Sequence, residues 1–419
     1  MILRLDCENF YSIREKISLD FTSTGRMIDN SAFVSADVPG YKKSVSIVSA
    51  IAGPNASGKT SVLKAFSFIR HLICETWERP IEDNPMLLFE PHVETPYLTS
   101  KINVEFISNG KIFKLFIEFN KQRILQERLD ECSKRTNTGR LTSKCLYLRK
   151  WNDRTKKYSL QSSSTITIIK KALRSDSSVI ATAARLQNNK KIIDIYNYWK
   201  HFGHNIWLHG HRDIHNESSI VKIVNELYLK PNVKNIVINI LRKTKTGIND
   251  IIREETLLPD GEKVYSYFVT HIFDQKTYKT KLEDESSGTK QLLFLLPYCI
   301  DALIGNQKNG AVIIDEIDAF IHPFMVSMII SFFTNVKLNK NKIQLIFSTT
   351  NTITLSELNK RQIFLCDKYS GRTNVKRFDS KKNIRNDINF LAKYNSGIYS
   401  ELELLDDKEI IKEIYKTTL

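Results

Sequence analysis

Residues 53–60 read Gly53-Pro54-Asn55-Ala56-Ser57-Gly58-Lys59-Thr60, and this octapeptide decides the fold. Its spacing is that of a phosphate-binding loop, in which glycines let successive backbone N–H groups point inward around phosphate oxygens. In such a loop Lys59 reaches the β- and γ-phosphates, and the Thr60 hydroxyl is a ligand of Mg²⁺. The stretch therefore predicts a nucleoside triphosphate, bound with magnesium.

The residues on either side of the loop support this prediction. An apolar, β-branched run, Ser44–Ala52, precedes it and is typical of a buried strand. The helix predicted after it carries Val62, Phe66, Ile69 and Ile73 on one face. A strand, a loop and a helix N-terminus form the usual surroundings of a bound phosphate. This context disfavours the alternative, a glycine turn with an incidental lysine.

The chain has 419 residues, of which 42% are hydrophobic and 26% charged, enough to form one large or two closely packed domains. Its start, Met1–Asp6, carries charge at once and does not resemble a secretory signal. The longest apolar stretch, Leu292–Ile304, contains Asp301 and is too short to span a bilayer. Six cysteines without a C-x-x-C pair suit reduced thiols. We therefore expect a cytoplasmic protein without membrane association.

The formal net charge of +16 leaves two interpretations open. Nucleic acid is the obvious acidic partner for a basic protein, because neutralising phosphates drives such binding. The chain is also rich in Lys, Asn and Ile throughout, which indicates a bias of base composition instead.

Several predicted elements organise the chain. Leu3–Phe21 alternates as strands do, and residues 102–119 predict a hairpin that turns at Asn109-Gly110. Residues 130–165 are polar and basic, 166–245 are mostly helical, and 264–282 predict more strands. We divide the chain into an N-terminal lobe (1–150), a mainly helical insertion (151–240) and a C-terminal lobe (241–419).

A second motif follows in the C-terminal lobe. Residues 311–314 form a short, fully apolar strand that ends in Asp315 and Glu316. Such a strand suits the centre of a parallel sheet, whose carboxyl edge is where ligands bind. Asp315 would hold magnesium through water, and Glu316 would act as general base towards the attacking water. The alternative is a core strand with an acidic exit turn, which the phosphate-binding loop makes less attractive.

Thr60 and Asp315 are 255 positions apart, so a large insertion separates the two motifs. Just upstream of the acidic strand, residues 285–291 contain Ser286 and Gly288 at a predicted helix start. Ser-Ser-Gly is also a common helix cap, so the motif is weak when it is taken alone. Its place before the acidic strand makes it more specific.

With these motifs the chain resembles the ATP-binding proteins of the ABC-type RecF, SMC and OLD class. The resemblance is strongest to the defence-associated ATPases of AbiL-, Septu- and PARIS-type bacterial systems. The residues that carry it are Asn9-Phe10-Tyr11-Ser12-Ile13, 53–60, Ile124, Glu127, Leu129, Gly247-Ile248, Ile251, His271, 285–291, Asp315-Glu316-Ile317-Asp318, His322-Pro323, Arg361-Gln362-Ile363, Arg385 and Asn395-Ser396-Gly397-Ile398.

The resemblance implies an α/β fold, an ABC-type head with a mixed sheet core and an antiparallel β-lobe, interrupted by a mainly helical insertion. It implies a homodimer or higher homo-oligomer that sandwiches ATP, with Ser286 and Gly288 on the γ-phosphate of the opposite subunit and Asp318 in the loop that crosses the interface. It also implies ATP hydrolysis, aided by Lys59 and Glu316, and control of a separate effector such as a nuclease or toxin.

One position departs from the resemblance. The family has a switch histidine after the next strand, and this chain has Thr350 there. A hydroxyl can hydrogen-bond to phosphate but carries no positive charge. We therefore predict slow turnover.

Two further clusters invite a metal site. His201, His204, His209, His211 and His215 lie in one window with Asp213, but their spacing matches no standard site, which favours a packed insertion. Only 103 residues follow Glu316, and Asp406-Asp407 lies in a charged amphipathic pattern. We therefore expect no built-in nuclease.

Three functions remain open at this stage. The first is a defence ATPase that senses phage and controls an effector. The second is a RecF-like ATPase that acts directly on DNA. The third is a protein that uses ATP structurally and scarcely hydrolyses it.

Overall fold

The computed structural model describes most of the chain. Among the described residues, no helix is both long and apolar enough to cross a membrane. All six cysteines are free thiols. The described residues are 1–24, 32–80, 86–134, 141–162, 167–186, 189–208, 217–244, 246–257, 263–306 and 308–380.

Strands and helices are interspersed along this part of the chain. The strands are β1 (Ile2–Glu8), β2 (Ile17–Asp20), β3 (Thr22–Ser23), β4 (Phe33–Ser35), β5 (Ser44–Ser46), β6 (Val48–Ala52), β7 (Ser100–Ser108), β8 (Lys111–Phe119), β9 (Ile124–Lys134), β10 (Leu141–Asn152), β11 (Lys157–Ser162), β12 (Gly203–His204), β13 (Ile248–Leu257), β14 (Lys263–Phe273), β15 (Lys276–Lys281), β16 (Ala311–Ile314), β17 (Gln344–Thr349), β18 (Ile363–Tyr369) and β19 (Arg372–Arg377). The helices are α1 (Lys59–Cys74), α2 (Val179–Leu186), α3 (Lys190–Lys200), α4 (Glu217–Tyr228), α5 (Pro231–Lys243), α6 (Ser287–Ile304), α7 (Pro323–Thr334) and α8 (Thr352–Ser356).

The central sheet has the strand order β12-β16-β17-β6-β18-β19. Its first five strands are parallel, and β19 is antiparallel to β18. Successive side chains of a strand point to opposite faces, so Val312 and Ile314 pack into one apolar cluster while Ile313 packs into the other. Because both faces are covered, β16 is apolar throughout, as the sequence predicts for a central parallel strand.

An antiparallel sheet of seven strands, in the order β11-β10-β9-β8-β7-β1-β2, forms the β-lobe. The predicted hairpin is β7 and β8, and its turn residues Asn109 and Gly110 have φ values of 47° and 69°. Both are left-handed, which matches the right-handed twist of a two-residue hairpin. The sheet extends to Ser162, so the boundary placed at residue 150 falls within β10.

The predicted insertion is mainly helical, but it is not separate from the cores. Helices α2 and α3 pack against α1, while β12 pairs with β16 in the central sheet. Residues from this segment therefore contribute to both apolar clusters, Trp199 to one and Val237 to the other. The α/β class with a mixed sheet and an antiparallel lobe is confirmed, while the three-part division stays a prediction.

Two smaller sheets, β13-β14-β15 and β3-β5-β4, complete the described fold. The helix predicted at Lys290–Ile304 begins three residues earlier, at Ser287, because Ser286 caps it. Several sequence predictions lie outside the described residues, namely those on His209, His211, Asp213, His215, Arg385, 395–398 and Asp406-Asp407.

Candidate functional site

The loop 53–60 joins β6 to α1, as predicted, and curls around the Lys59 side chain. Ala56 and Gly58 have φ values of 63° and 99°, which is how the loop reverses within a few residues. The buried Lys59 Nζ donates to the carbonyl oxygens of Gly53 (2.9 Å) and Pro54 (2.8 Å). The ammonium therefore lies inside the concave side of the loop.

Strands β18 and β19 pack so tightly against this loop that both glycines are needed. A Cβ on Gly53 would lie 2.2 Å from the Cys366 carbonyl oxygen, and one on Gly58 would lie 2.0 Å from Thr373 Oγ1. The Thr373 hydroxyl also donates to the Ser57 carbonyl at 3.0 Å. The loop is thus fixed from outside by residues more than 300 positions away, which no local motif indicates.

The N-terminal segment also fixes the loop. Thr373 Oγ1 lies 2.7 Å from Ser12 Oγ, and Ser12 Oγ lies 2.8 Å from Ser61 Oγ in the first turn of α1. Ser12 belongs to the segment 9–13 that carries part of the family resemblance. Its place beside the loop gives that segment a structural role.

Asp315 and Glu316 leave β16 at the same edge of the sheet as the loop, with β17 between β16 and β6. Ser348, at the end of β17, bridges the two acidic residues. Its hydroxyl donates to Asp315 Oδ1 at 2.5 Å and accepts the Glu316 amide at 2.7 Å. Glu316 has a φ of 50° and an exposed side chain, so the chain turns sharply where the carboxylate is presented.

Asn205, which follows β12, fixes Asp315 from the other side. Its side-chain amide donates to the Asp315 carbonyl at 2.9 Å and accepts the Asp315 amide at 2.6 Å. Through these two hydrogen bonds the Asn205 side chain continues the pairing of β12 with β16 beyond the end of β12. The sequence analysis missed both Asn205 and Ser348, because a buried Asn or Ser has no local signature.

The loop lysine and the acidic residues are close enough to interact electrostatically. Burial lowers the pKa of Lys59 below its ordinary value, and the negative charges of Asp315, Glu316 and Asp318 act in the opposite direction. Three carboxylates thus lie within electrostatic range of one ammonium. The predicted convergence of the two motifs at one edge is what the geometry shows.

The Asp318 carboxylate accepts hydrogen bonds from residues of the same chain. Its Oδ2 accepts the Thr349 hydroxyl at 2.9 Å and the Asn351 amide at 3.1 Å. These contacts tie the loop after Glu316 to the end of β17. Thr350 itself is exposed at this carboxyl end, in the position that the sequence predicts.

Ser286 and Gly288 lie at the start of α6. The Thr289 amide donates to the exposed Ser286 Oγ at 3.2 Å, which caps the helix. A Cβ on Gly288 would lie 2.8 Å from the Phe320 carbonyl oxygen, so the glycine lets this helix start pack on the loop that contains Asp318.

Three residues that carry the family resemblance, Gly247, His271 and Glu285, are in contact just before α6. His271 Nδ1 lies 3.0 Å from the Gly247 carbonyl oxygen, and His271 Nε2 lies 2.9 Å from Glu285 Oε1. Gly247 has a φ of 80°, which favours glycine. This chain of contacts orients the residue that precedes Ser286.

The residues of the loop suit a triphosphate with magnesium. The Ser57 hydroxyl is buried and has no hydrogen-bond partner among the described residues, so it can accept or donate to a ligand. Lys59 supplies positive charge, while Thr60 in the first turn of α1 and Asp315 supply oxygen ligands of the kind that Mg²⁺ prefers. Such a donor set matches the predicted cofactors.

The histidine window gives no metal centre in the part that is described. His201 is exposed and bonds to the Asn197 carbonyl, whereas His204 lies in β12. Among the described residues, no group of three or more His, Cys, Asp or Glu side chains could hold a metal ion.

A parallel sheet that brings a P-loop lysine and an acidic pair to its carboxyl edge is the arrangement of a P-loop nucleoside triphosphatase domain. The chain belongs to the family described as "AAA domain, putative AbiEii toxin, Type IV TA system", whose model matches residues 48–356. The match begins with β6 and ends with α8. It confirms the ATPase class expected from the motifs.

Three solved structures that are similar to this one are head domains of SMC proteins. The SMC head domain from Thermotoga maritima is 14% identical with a TM-score of 0.40, covering 90% of this chain and 98% of that one. An SMC head bound to the C-winged helix domain of ScpA is 16% identical with a TM-score of 0.42, covering 90% and 96%. An SMC head bound to the C-terminal domain of ScpA derived from Pyrococcus furiosus is 13% identical with a TM-score of 0.36, covering 90% and 96%. No curated protein matches the chain. Because these TM-scores are low, the assignment depends on the family match.

Proposed function

We propose that this protein binds ATP with Mg²⁺ and hydrolyses it slowly to ADP and phosphate. The observation that carries the proposal is that Lys59, Asp315 and Glu316, which come from distant parts of the chain, lie at one sheet edge within electrostatic range of one another. Phosphoryl transfer depends on positioning and charge stabilisation, and these are what the arrangement offers.

Each residue then has a role. Bound MgATP would supply the electrophilic γ-phosphorus and a cation that neutralises phosphate charge. Lys59 would hold phosphate oxygens, and Thr60 and Asp315 would hold the metal. Glu316 would orient a water and accept its proton, because its carboxylate is exposed at the edge of the site. Ser348 would keep the two acidic residues in a fixed relation.

We further propose that ATP joins two copies of the chain into a homodimer or a higher homo-oligomer. Ser286 and Gly288 would complete the site of the opposite copy, since a helix start offers amides and a hydroxyl to a phosphate. Asp318 would lie in the loop at this interface. Light scattering of Glu316→Gln with and without ATP tests this step: assembly that depends on ATP supports it, and a monomer under both conditions contradicts it.

For the cell, we propose a cytoplasmic sensor that regulates a separate effector, a nuclease or toxin, in an anti-phage system. The family description supports the general setting of this role, because it names a putative AbiEii toxin and a type IV TA system. Co-purification with the product of the neighbouring gene tests the partner. Phage challenge of cells with wild type or Lys59→Ala tests the role, and equal protection by both would contradict it.

The net charge of +16 favours one alternative, an ATPase of RecF or SMC type that acts directly on DNA. DNA that stimulates ATP hydrolysis at moderate salt, with an effect that falls steeply as salt rises, would support this alternative. Replication genes beside this one would support it too.

A further inference from the structure

A cleft separate from the P-loop lies between α1, the segment that follows β12, and α4. Its volume is about 510 Å³, within the range of pockets that hold small molecules. Its walls carry both charged and aromatic side chains. None of the roles proposed above uses this space.

Positive charge at the cleft is only partly neutralised. Glu75 accepts from Arg70 and bonds to His71 Nδ1 at 2.8 Å, and the His71 bond lowers the pKa of Glu75 to about 2. This carboxylate is therefore already satisfied. Arg79 and Lys222 also line the cleft and form no ion pair with any described residue, so two cations remain against the carboxylate of Glu226.

One further polar group has no partner. Arg70 Nε is buried and has no hydrogen-bond partner among the described residues, although the same guanidinium binds Glu75. Guanidinium groups suit phosphate oxygens because their donors form a planar fork. The cleft thus offers an unused donor on α1 close to two free cations.

The cleft also holds an aromatic surface. Trp207 lines it, and 53% of the Trp207 residue surface is exposed. An exposed indole beside cations is the combination on which bases stack while their phosphates are neutralised. A simple anion would make no use of the ring, so the combination points to a ligand with a flat heterocycle and a phosphate.

The floor of the cleft is connected to the ATP site. Asn205 lines the cleft and makes the two hydrogen bonds that fix the Asp315 backbone. A ligand that contacts Asn205 or the adjoining residues therefore acts on the residue expected to hold magnesium. Such coupling is reciprocal, so ATP would alter the affinity for the ligand by the same factor.

We propose that this cleft binds a nucleoside phosphate, with the base on Trp207 and the phosphate between Arg79 and Lys222, and that its occupancy regulates the ATP site through Asn205. The source is either a free nucleotide or one unit of a single-stranded nucleic acid. The coupling rests on the proposed ATPase function, whereas the binding does not.

The experiment uses AMP as the probe on the full chain, without magnesium, and follows Trp207 fluorescence and calorimetric heat. Lys59→Ala should bind AMP as wild type does, which separates the cleft from the P-loop. The double variant Arg79→Glu with Lys222→Glu should bind at least tenfold more weakly. The control Lys150→Glu with Lys157→Glu makes the same change of net charge on the β-lobe and should leave binding unchanged.

Three comparisons complete the test. Trp207→Phe should abolish the fluorescence change while calorimetry still detects binding. Asn205→Ala should bind AMP but lose the effect of AMP on ATP affinity. If AMP does not bind but a single-stranded oligonucleotide does, and if Arg79→Glu with Lys222→Glu weakens its binding, nucleic acid is the source of the ligand. If neither probe binds, or if charge reversal in the cleft has no greater effect than the control, the proposal is overturned.

Discussion

The Ser348 hydroxyl lies 2.5 Å from Asp315 Oδ1 and also accepts the Glu316 amide at 2.7 Å. One buried side chain thus joins the residue expected to bind magnesium to the residue expected to activate water. Ser348 lies one residue before the end of β17, and β17 lies between β16 and the strand that precedes the P-loop. The central sheet itself therefore sets the relation between the two motifs.

Ser348→Ala should impair hydrolysis more than binding. The substitution leaves the Glu316 amide without its acceptor, at a cost of about 1–3 kcal/mol in the free energy of unfolding. Loss of position should lower ATP turnover by roughly tenfold to a hundredfold. Steady-state turnover and ATP affinity would be compared with those of Ser331→Ala, an exposed serine on α7. Equal turnover in the two variants would show that Ser348 has no positioning role.

Gly58→Ala should damage the P-loop, whereas Gly371→Ala should not. Both glycines have left-handed φ values, 99° and 80°, so alanine carries a strain of about 1–2 kcal/mol at either position. Only at Gly58 would the new Cβ meet a neighbour, Thr373 Oγ1 at 2.0 Å, while Gly371 has open space. Thermal unfolding and ATP titration should show the larger loss of stability and the loss of ATP affinity in Gly58→Ala alone. Similar ATP affinity in both variants would contradict the packing described here.

Thr350→His should speed the reaction. Thr350 is exposed at the carboxyl end of β17, and a histidine there would add a donor that can carry positive charge. The turnover rate and the lifetime of the ATP-bound dimer would be measured in wild type and variant. No change in either quantity would mean that the threonine does not set the rate.

Protonation of Glu75 should lower stability in acid. Its pKa is about 2 in the folded protein against an ordinary 4.5, because of the bond to His71 and the charge of Arg70. The stabilisation is complete above pH 4.5 and is lost as the pH falls towards 2. Urea unfolding should therefore give a larger difference in the free energy of unfolding between wild type and Glu75→Gln at pH 6 than at pH 3, which lies roughly one unit above the folded pKa. Equal differences between wild type and Glu75→Gln at the two pH values would contradict this role of Glu75.

The local parts of the fold were predictable because their signals are local. The hairpin at Asn109-Gly110 and the strand 311–314 follow from turn chemistry and from apolar runs, and both lie where the sequence places them. The P-loop and the acidic pair are likewise recognisable from short stretches. A ligand with phosphates and magnesium also requires them to meet, so their convergence could be inferred.

The supports of the site were not predictable, because they act across long distances. Thr373 on β19 packs against Gly58, and Asn205 fixes Asp315 from the position after a two-residue strand inside the predicted helical insertion. Neither residue belongs to a periodic pattern or a motif. The strands β10 and β11 were not predicted within the polar stretch 130–165 for a related reason. Side chains along β11 alternate between exposed and partly buried, so the strand carries few apolar residues.

The most direct test of the central claim, that the P-loop and the acidic pair form one ATPase site, measures ATP affinity and ATP turnover in wild type, Lys59→Ala and Glu316→Gln. We predict that Lys59→Ala loses ATP binding. Glu316→Gln should keep ATP affinity while turnover falls by about 10²–10⁴-fold, the usual contribution of a general base. Undiminished hydrolysis in Glu316→Gln, or unchanged ATP affinity in Lys59→Ala, would contradict the claim.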